Sequence, residues 1–513
     1  MSTPQAQLEL QKLVIRDPQP APQQVVPVMD AILELIQQVD DGKITLSGDS
    51  PDIVGAINQR IAELDQSVND NLNQVIQDKE FQRLERSWRG LYYLVNRAET
   101  STMLKLRLLN ATKDEIGKDL DRAVEFDQSA QFKKIYEEEY GTFGGSPYSV
   151  LIADYAFDRS PKDIAWLEKM SNVAAAAHAP FIAAAAPELF DLASFSELGN
   201  PRDLAKIFES SELAKWRSFR DSEDSRYVAL CLPRFLLRQP YGRDDYTPPA
   251  KKNGKAAAAK PTTQPEKLTG RIPADNVDFC EDVDGNPGSF EHYCWGNPAY
   301  ALAERITNAF ALYKWTAAIR GVEGGGLVEG IPAVTFKTDE GDKVLKYPTE
   351  TAITDRREKE LNDLGFITLV HCKNTDKAAF FGGQTTQKPK VYQDPQATAN
   401  AKLSSQLPYI MATSRFAHYI KAMMRDKVGS FMTKENVSDY LNKWIADYVL
   451  LDDRASQSSK ASYPLREARV DVEDVVGKPG VYKAVVYLRP HFQLDELTAS
   501  LRLVAELPPP AAG

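Results

Sequence analysis

The chain has 513 residues, 43% of them hydrophobic and 26% charged, an ordinary soluble-protein composition on more chain than one small core requires, so two or three domains are expected. A formal net charge of −10 argues against non-specific nucleic-acid binding, because no basic excess exists to displace counterions from phosphates. The most apolar window, 173–190, is mostly alanine and is broken by His178, Pro180 and Pro187, so it is no membrane span, and the start MSTPQAQLEL lacks the basic-then-apolar pattern of a secretory signal.

In chain order, residues 1–50 read as an arm around one short apolar helix at 28–39. A longer helix follows, with Ile57, Ile61, Leu64, Val68 and Val75 at alternating four- and three-residue spacing and Asn71 at the polar seam position. This heptad stripe fits either packing on its own domain or a coiled coil with another chain. The next helix carries Phe81, Leu84, Trp88, Leu91 and Val95 on one face. From about 101 to 235 strands alternate with helices. Leu104, Leu106 and Leu108 predict a half-buried strand, 113–140 is largely helical up to Gly141, and 150–152 is a short buried run. Ser160-Pro161 opens a helix to 177, and 180–185 and 227–232 are apolar runs of strand length. Continuous apolar strands alternating with helices imply a mostly parallel sheet covered by helices.

Residues 246–268, rich in Lys, Ala, Pro and Thr, read as a mobile insertion. The fold resumes at Trp295, with a helix over 299–320 and strands at 333–337 and 366–371. Helix 397–428 carries Phe416, Ile420 and Met423 on one face, and helix 433–450 carries Val437, Leu441, Trp444, Ile445, Tyr448 and Val449. Three strands end the chain. Val470 and Val472 alternate with Arg469, Asp471 and Glu473, Ala484, Val486 and Leu488 with Lys483 and Arg489, and Leu501 and Leu503 with Arg502 and Val504. A terminal sheet has free edges, so it is either a meander packed on its own domain or a sheet completed by neighbouring chains. The expected fold is α/β (α+β overall). It comprises an N-terminal helical arm (1–80), a central mixed or parallel sheet covered by helices (81–390), and a C-terminal domain of helices plus a β-meander (391–513).

Catalytic chemistry leaves little trace. The histidines His178, His292, His371, His418 and His491 include no pair three or four residues apart, so no helical metal site is readable. Cys231, Cys280, Cys294 and Cys372 show no CxxC spacing and read as reduced thiols of a cytosolic protein. The cluster Gly321 to Gly326 follows a helix and lacks the Lys-Ser/Thr ending of a phosphate loop, so it reads as a flexible turn. Asp282 and Asp284 lack the later acids of a calcium loop. No catalytic, cofactor-binding or metal residue is assigned, and no cofactor is expected. Scattered carboxylates leave an α/β hydrolase-like enzyme as the alternative from another class.

Four stretches in order carry a resemblance: FQRLERSWRGLYYLV (81–95), WGNPAYALAERI (295–306), RFAHYIKAMM (415–424) and LRPHFQLDELTASLRLVAEL (488–507). With 407–411, the sequence resembles the large subunit of the bacterial type VI secretion contractile sheath, the TssC/VipB family, over about 75–510. The resemblance implies a structural, non-enzymatic bacterial cytoplasmic protein. Its partners would be a small sheath subunit of the TssB/VipA type, further copies of itself in a six-start helical sheath, inner-tube hexamers and a baseplate. A recycling AAA+ ATPase would act through the small subunit, with no nucleic acid and no membrane insertion. It further implies that Val470, Val472, Ala484, Val486, Leu501 and Leu503 build an inter-subunit sheet. Ile57, Ile61, Leu64 and Val68 would meet the small subunit, and Lys434, Glu435, Asp439 and Lys443 the inner tube. A phage-tail-like injection sheath shares the terminal architecture and is the neighbouring alternative.

Overall fold

The computed structural model describes residues 53–200, 203–242, 268–269, 272, 279–283, 292–337, 343–428, 430, 433–475, 482–491 and 493. The arm helix expected at 28–39, nearly all of the 246–268 insertion, Asp284 and the third terminal strand with Leu501 and Leu503 lie outside these residues. Two units are distinguished, residues 1–74 with 275–279, and residues 75–274 with 280–513.

The first unit contributes most of helix α1, Ile53–Ile76, on which Ile61, Leu64 and Val68 are all exposed. Ile57 lies within this helix, but its side chain falls outside the described set.

In the second unit Asp78 opens helix α2, Lys79–Arg97, by accepting from the N–H groups of Glu80 and Phe81. The predicted apolar stripe is present, but it is not the buried face. Phe81, Leu84, Trp88 and Val95 are exposed, while Gly90 and Leu94 are buried. Gly90 sits so close to Tyr300 that a Cβ would lie 2.4 Å from its ring, so α2 approaches its neighbour only because no side chain intervenes.

Helix α3, Lys113–Arg122, starts at a capping box between Thr112 and Glu115. The helix expected over 113–140 breaks after α3 and resumes at 130–140, its last eight residues in π geometry. Then come strand β1, Leu151–Phe157, helix α4, Pro161–Ala177, and strands β2, Phe181–Ala185, and β3, Val228–Leu232. Ser160 caps α4 and Pro161 occupies its first position, the start its sequence announces.

Helix α5, Pro298–Tyr313, is shorter than its pattern predicts. Lys314 at φ 66° ends it six residues before Arg320, and Gly321 N–H then donates to the Phe380 carbonyl. Strand β4, Leu327–Val328, helix α6, Asp355–Asp363, and strands β5, Phe366–His371, and β6, Ala378–Phe380, follow. The six strands form one sheet in the order β1-β2-β3-β5-β6-β4. The first four are parallel, with Phe181 opposite Val228 and Phe366 opposite Leu230, and the last two antiparallel, with Leu369 opposite Phe380.

Period-two alternation sorts these strands between two cores. Phe181, Ala183, Val228, Leu230, Phe366 and Val370 pack with Trp166, Leu167 and Met170 of α4 on one face. Ile182, Ala229, Cys231, Ile367 and Leu369 pack with Ala299, Leu302 and Ile306 of α5 on the other. Both faces are covered, which is why these strands read as unbroken apolar runs.

The strand expected at Leu104, Leu106 and Leu108 does not form. Residues 105–112 belong to no helix, turn or ladder, and Leu108 is exposed. The helix expected over 397–428 is two, α7, Pro395–Ser404, and α8, Leu407–Asp426, because Pro408 belongs to the first turn of a new helix. Helix α9, Lys434–Ala446, precedes two long strands, β7, Leu465–Asp474, and β8, Tyr482–Pro490.

Candidate functional site: the terminal hairpin and its helix

Strands β7 and β8 pair antiparallel from end to end, with Val470 opposite Val486 and Val472 opposite Ala484. From Ala468 to Val472 the even positions of β7 face inward. Val470 and Val472 are buried among Val437, Leu441 and Ile445 of α9, Phe416 and Ile420 of α8, and Trp315, with Ala468, Val486 and Leu488 half-buried beside them. Trp315 and Phe416 stack at 4.5 Å beneath this platform. From Glu467 onward, after a register shift at Leu465, the odd positions face outward and carry ion pairs, Arg469 with Asp471 at 2.9 Å and Arg489 with Glu467 at 3.5 Å. Ala484 is exposed.

The two outer edges of the hairpin differ. Asn442 of α9 donates from Nδ2 to the Val470 carbonyl at 2.8 Å and accepts at Oδ1 from the Val470 N–H at 2.9 Å. One side-chain amide therefore stands where a neighbouring strand would. Farther along, the Leu450 N–H donates to the Leu465 carbonyl at 2.8 Å. The edge of β7 is thus closed at two points. Those same bonds show that Val470 points its N–H and C=O away from β8, so Val470–Val486 and Val472–Ala484 are non-hydrogen-bonded pairs. By alternation Ala484, Val486 and Leu488 point their backbone groups outward from β8, and no described residue pairs with them. That edge is open.

Thr433 caps α9 by accepting from the Asn436 N–H, and the helix lays Val437, Leu441 and Ile445 against β7. On its polar side Glu435, Asp439 and Lys443 are exposed, whereas Lys434 is half-buried and 3.7 Å from Asp474 at the end of β7. The Glu435 backbone N–H and the Thr433 hydroxyl hold the Glu435 carboxyl below its usual range. Of the predicted sheet residues, Val470, Val472, Ala484 and Val486 share one ladder. Sequence reasoning missed Asn442, although an amide directly after Leu441, inside an apolar stripe, was the available signal.

Several buried charges elsewhere are paired. Arg238 bridges Glu85 and Glu281, each at 2.6 Å, and Arg89 joins Glu85 at 2.8 Å and the Tyr241 hydroxyl at 2.9 Å. Burial alone would raise the Glu85 carboxyl, but Arg238 and Arg89 together hold it below its ordinary value. Arg234 donates from Nε to Glu350 at 2.8 Å, and Lys113 pairs with Asp163 at 2.5 Å. Burial pushes the Glu358 carboxyl up, although Arg320, the Thr368 hydroxyl at 3.4 Å and the Gly382 N–H favour its charged form.

Several histidines are tied to backbone carbonyls. His418 Nε2 donates to Ala177 at 2.9 Å, His371 Nε2 to Thr375 at 2.9 Å and His292 Nδ1 to Asp282 at 3.1 Å. Among the described residues no three His, Cys, Asp or Glu side chains form a metal-holding group, and no helix is long and apolar enough to cross a membrane.

Two family models match most of the chain. The EvpB/VC_A0108 tail sheath N-terminal domain covers residues 58–253 and 265–387, and the EvpB/VC_A0108 tail sheath gpW/gp25-like domain covers 396–507. The type VI secretion system sheath protein TssC1 of Pseudomonas aeruginosa is 49% identical over 462 residues, spanning 90% of this chain and 87% of that protein. Among solved structures, a chain of the anti-feeding prophage baseplate aligns over 67% of this chain and 66% of its own, at 10% identity and a TM-score of 0.34. A chain of the contracted anti-feeding prophage helical sheath aligns over 67% and 75%, at 12% identity and a TM-score of 0.28.

Proposed function

From the premise that this chain belongs to the EvpB/VC_A0108 tail-sheath family and is a structural subunit of a type VI contractile sheath, not an enzyme, we propose that its terminal hairpin links it to neighbouring subunits by strand addition at the β8 edge. The observation that carries this is the asymmetry of the hairpin. The β7 edge is closed by Asn442 and Leu450, while among the described residues nothing pairs with the outward backbone groups of Ala484, Val486 and Leu488 on a well-packed platform. A strand added there gains main-chain hydrogen bonds along β8, and a link through one open edge joins unlike surfaces, the geometry of an open helical filament.

In this reading the assembly surrounds an inner tube and seats on a baseplate in the bacterial cytoplasm. A small sheath subunit pairs with the large one, with the exposed Ile61, Leu64 and Val68 of α1 and the neighbouring Ile57 as its contact, and carries the signal for a recycling AAA+ ATPase. The exposed acids and lysine of α9, Glu435, Asp439 and Lys443, together with Lys434, face the tube. Contraction exchanges a metastable packing for one burying more surface, with near-rigid domains turning about the strand links. No nucleotide is consumed in that stroke.

The test is negative-stain microscopy of the chain co-expressed with its small sheath subunit, with and without Ala484→Pro. Proline removes one outward N–H, a change an edge strand tolerates. Hollow tubes from the wild type, and a variant that melts normally yet makes none, are expected. Tubes at wild-type yield from the variant would defeat the proposal.

A further inference from the structure

His418 is 2% exposed, yet only one of its ring nitrogens has a partner. Nε2 donates to the Ala177 carbonyl at 2.9 Å, which fixes the proton of the neutral ring on that nitrogen and leaves Nδ1 a lone pair. No described residue bonds Nδ1. The ring lines a small cavity of about 10 Å³, room for one water-sized sphere. The other polar residues of its wall bear cations or hydroxyls. They are Lys314 where α5 ends, Arg415 a turn before His418 on α8, Ser149 ahead of β1, and the buried Thr316. Lys314 is exposed to solvent. No carboxylate lines the cavity. Arg415 Nη2 donates to the Tyr419 hydroxyl at 3.3 Å and Lys314 Nζ to the Ala311 carbonyl at 3.3 Å, and neither forms an ion pair with a carboxylate among the described residues.

Positive charge also faces the ring from outside the cavity. Lys421, a turn farther along α8, sits 3.6 Å from the centre of the Tyr140 ring, and Tyr140 meets His418 edge to face at 5.1 Å. His178, which ends α4, lies 6.2 Å from His418 between ring centres and bonds the Tyr227 hydroxyl at 3.2 Å. Arg226 acts on His178, and the one acid of this group, Asp224, faces Arg226 and Tyr227. The groups that weigh most on His418, namely Arg415, His178 and Lys421, are all basic. A second proton on this ring therefore meets no counter-charge among them, and an uncompensated buried charge is costly. A water in the cavity can donate to the lone pair of the neutral ring, but it brings no charge once the ring is protonated. A monatomic anion does. Nδ1–H, the two cations and the two hydroxyls are then donors around one ion-sized space, which is too small for phosphate or a carboxylate ligand.

We propose that the cavity beside His418 is a proton-linked halide site, which takes up one chloride ion together with one proton on Nδ1. The proton and the anion sum to no net charge, so the buried region gains none. The site lies where Met411 joins the core of the central sheet and Trp315 that of the terminal platform, so its occupation braces the joint between them. It depends on no contact between subunits.

Thermal melting of the full chain in sodium chloride and in sodium gluconate at equal ionic strength tests this, because gluconate is too large for the cavity. Chloride is expected to raise the melting temperature over gluconate by about 2 °C or more near pH 4.5, and to need about tenfold or higher concentration for half its effect near pH 7.5. His418→Gln, which takes up no proton, and Arg415→Gln, at a half-buried position, are each expected to melt cooperatively and to remove the difference between the two salts in acid. Equal melting of the wild type in both salts in acid would overturn the proposal and leave the cavity a water site. A chloride effect of the same size at neutral pH, or one that survives both substitutions, would also overturn it and assign the ion to the protein surface.

Discussion

His418 shows how one residue couples packing to pH. It lies buried on α8, with Nε2 donating to the last carbonyl of α4 and its ring 5.1 Å from that of Tyr140. Burial, with Arg415, His178 and Lys421 adding positive charge nearby, pushes its imidazole down to about 4. An unfolded imidazole titrates near 6.5, so between about 6.5 and 4 the unfolded chain binds the extra proton. The stability contributed by neutral His418 is complete above about pH 6.5 and is lost as pH falls toward 4, on the order of 3 kcal/mol for this one group. Replacing it by glutamine, which keeps an N–H for Ala177, is expected to flatten the fall in melting temperature across that window. An unchanged slope would assign the acid sensitivity elsewhere, with His178, also pushed down by burial, as the first suspect.

At the scale of elements, the hairpin and α9 behave as one body because Asn442 satisfies both backbone groups of Val470. Asn442→Ala leaves a buried N–H and carbonyl unpaired, which costs about 1–3 kcal/mol, and opens the β7 edge that the side chain had closed. Lower melting temperature together with concentration-dependent self-association in sedimentation is expected. Destabilisation without association would mean that Asn442 holds the platform but does not guard its edge. Element boundaries were less legible in sequence than element types. Helix α5 stops at Tyr313 because Lys314 takes a left-handed backbone and the chain turns to place Gly321 against β6, a tertiary requirement that its apolar periodicity does not encode.

At the scale of the whole molecule, the central sheet and the C-terminal platform pack around separate cores, so a defect in the proposed assembly can be told from a defect in folding. Changing both Leu501 and Leu503 to aspartate is expected to abolish tubes, because the alternation of this terminal segment predicts an apolar face in the shared sheet. The central domain should keep its melting transition, since its two cores, around Phe181 and Ile182, are built from residues up to Met411. Normal tube yield from this double variant would exclude the segment from assembly.

Sequence alone determined the period of each element. Alternation in β7 and β8, continuous apolar runs in β2, β3 and β5, and the Ser160-Pro161 start of α4 all depend on local backbone geometry, and all appear in the structure. Tertiary structure decided which edges and faces stay open. The stripe on α2 points to solvent and not to the core, and the strand pattern at Leu104 to Leu108 finds no ladder partner among the described residues. The amide of Asn442 closes one side of a hairpin whose other side pairs with no described residue. An apolar or alternating pattern specifies that a surface will be covered. Whether the cover comes from the same chain or another depends on where distant segments pack, and that information is not local.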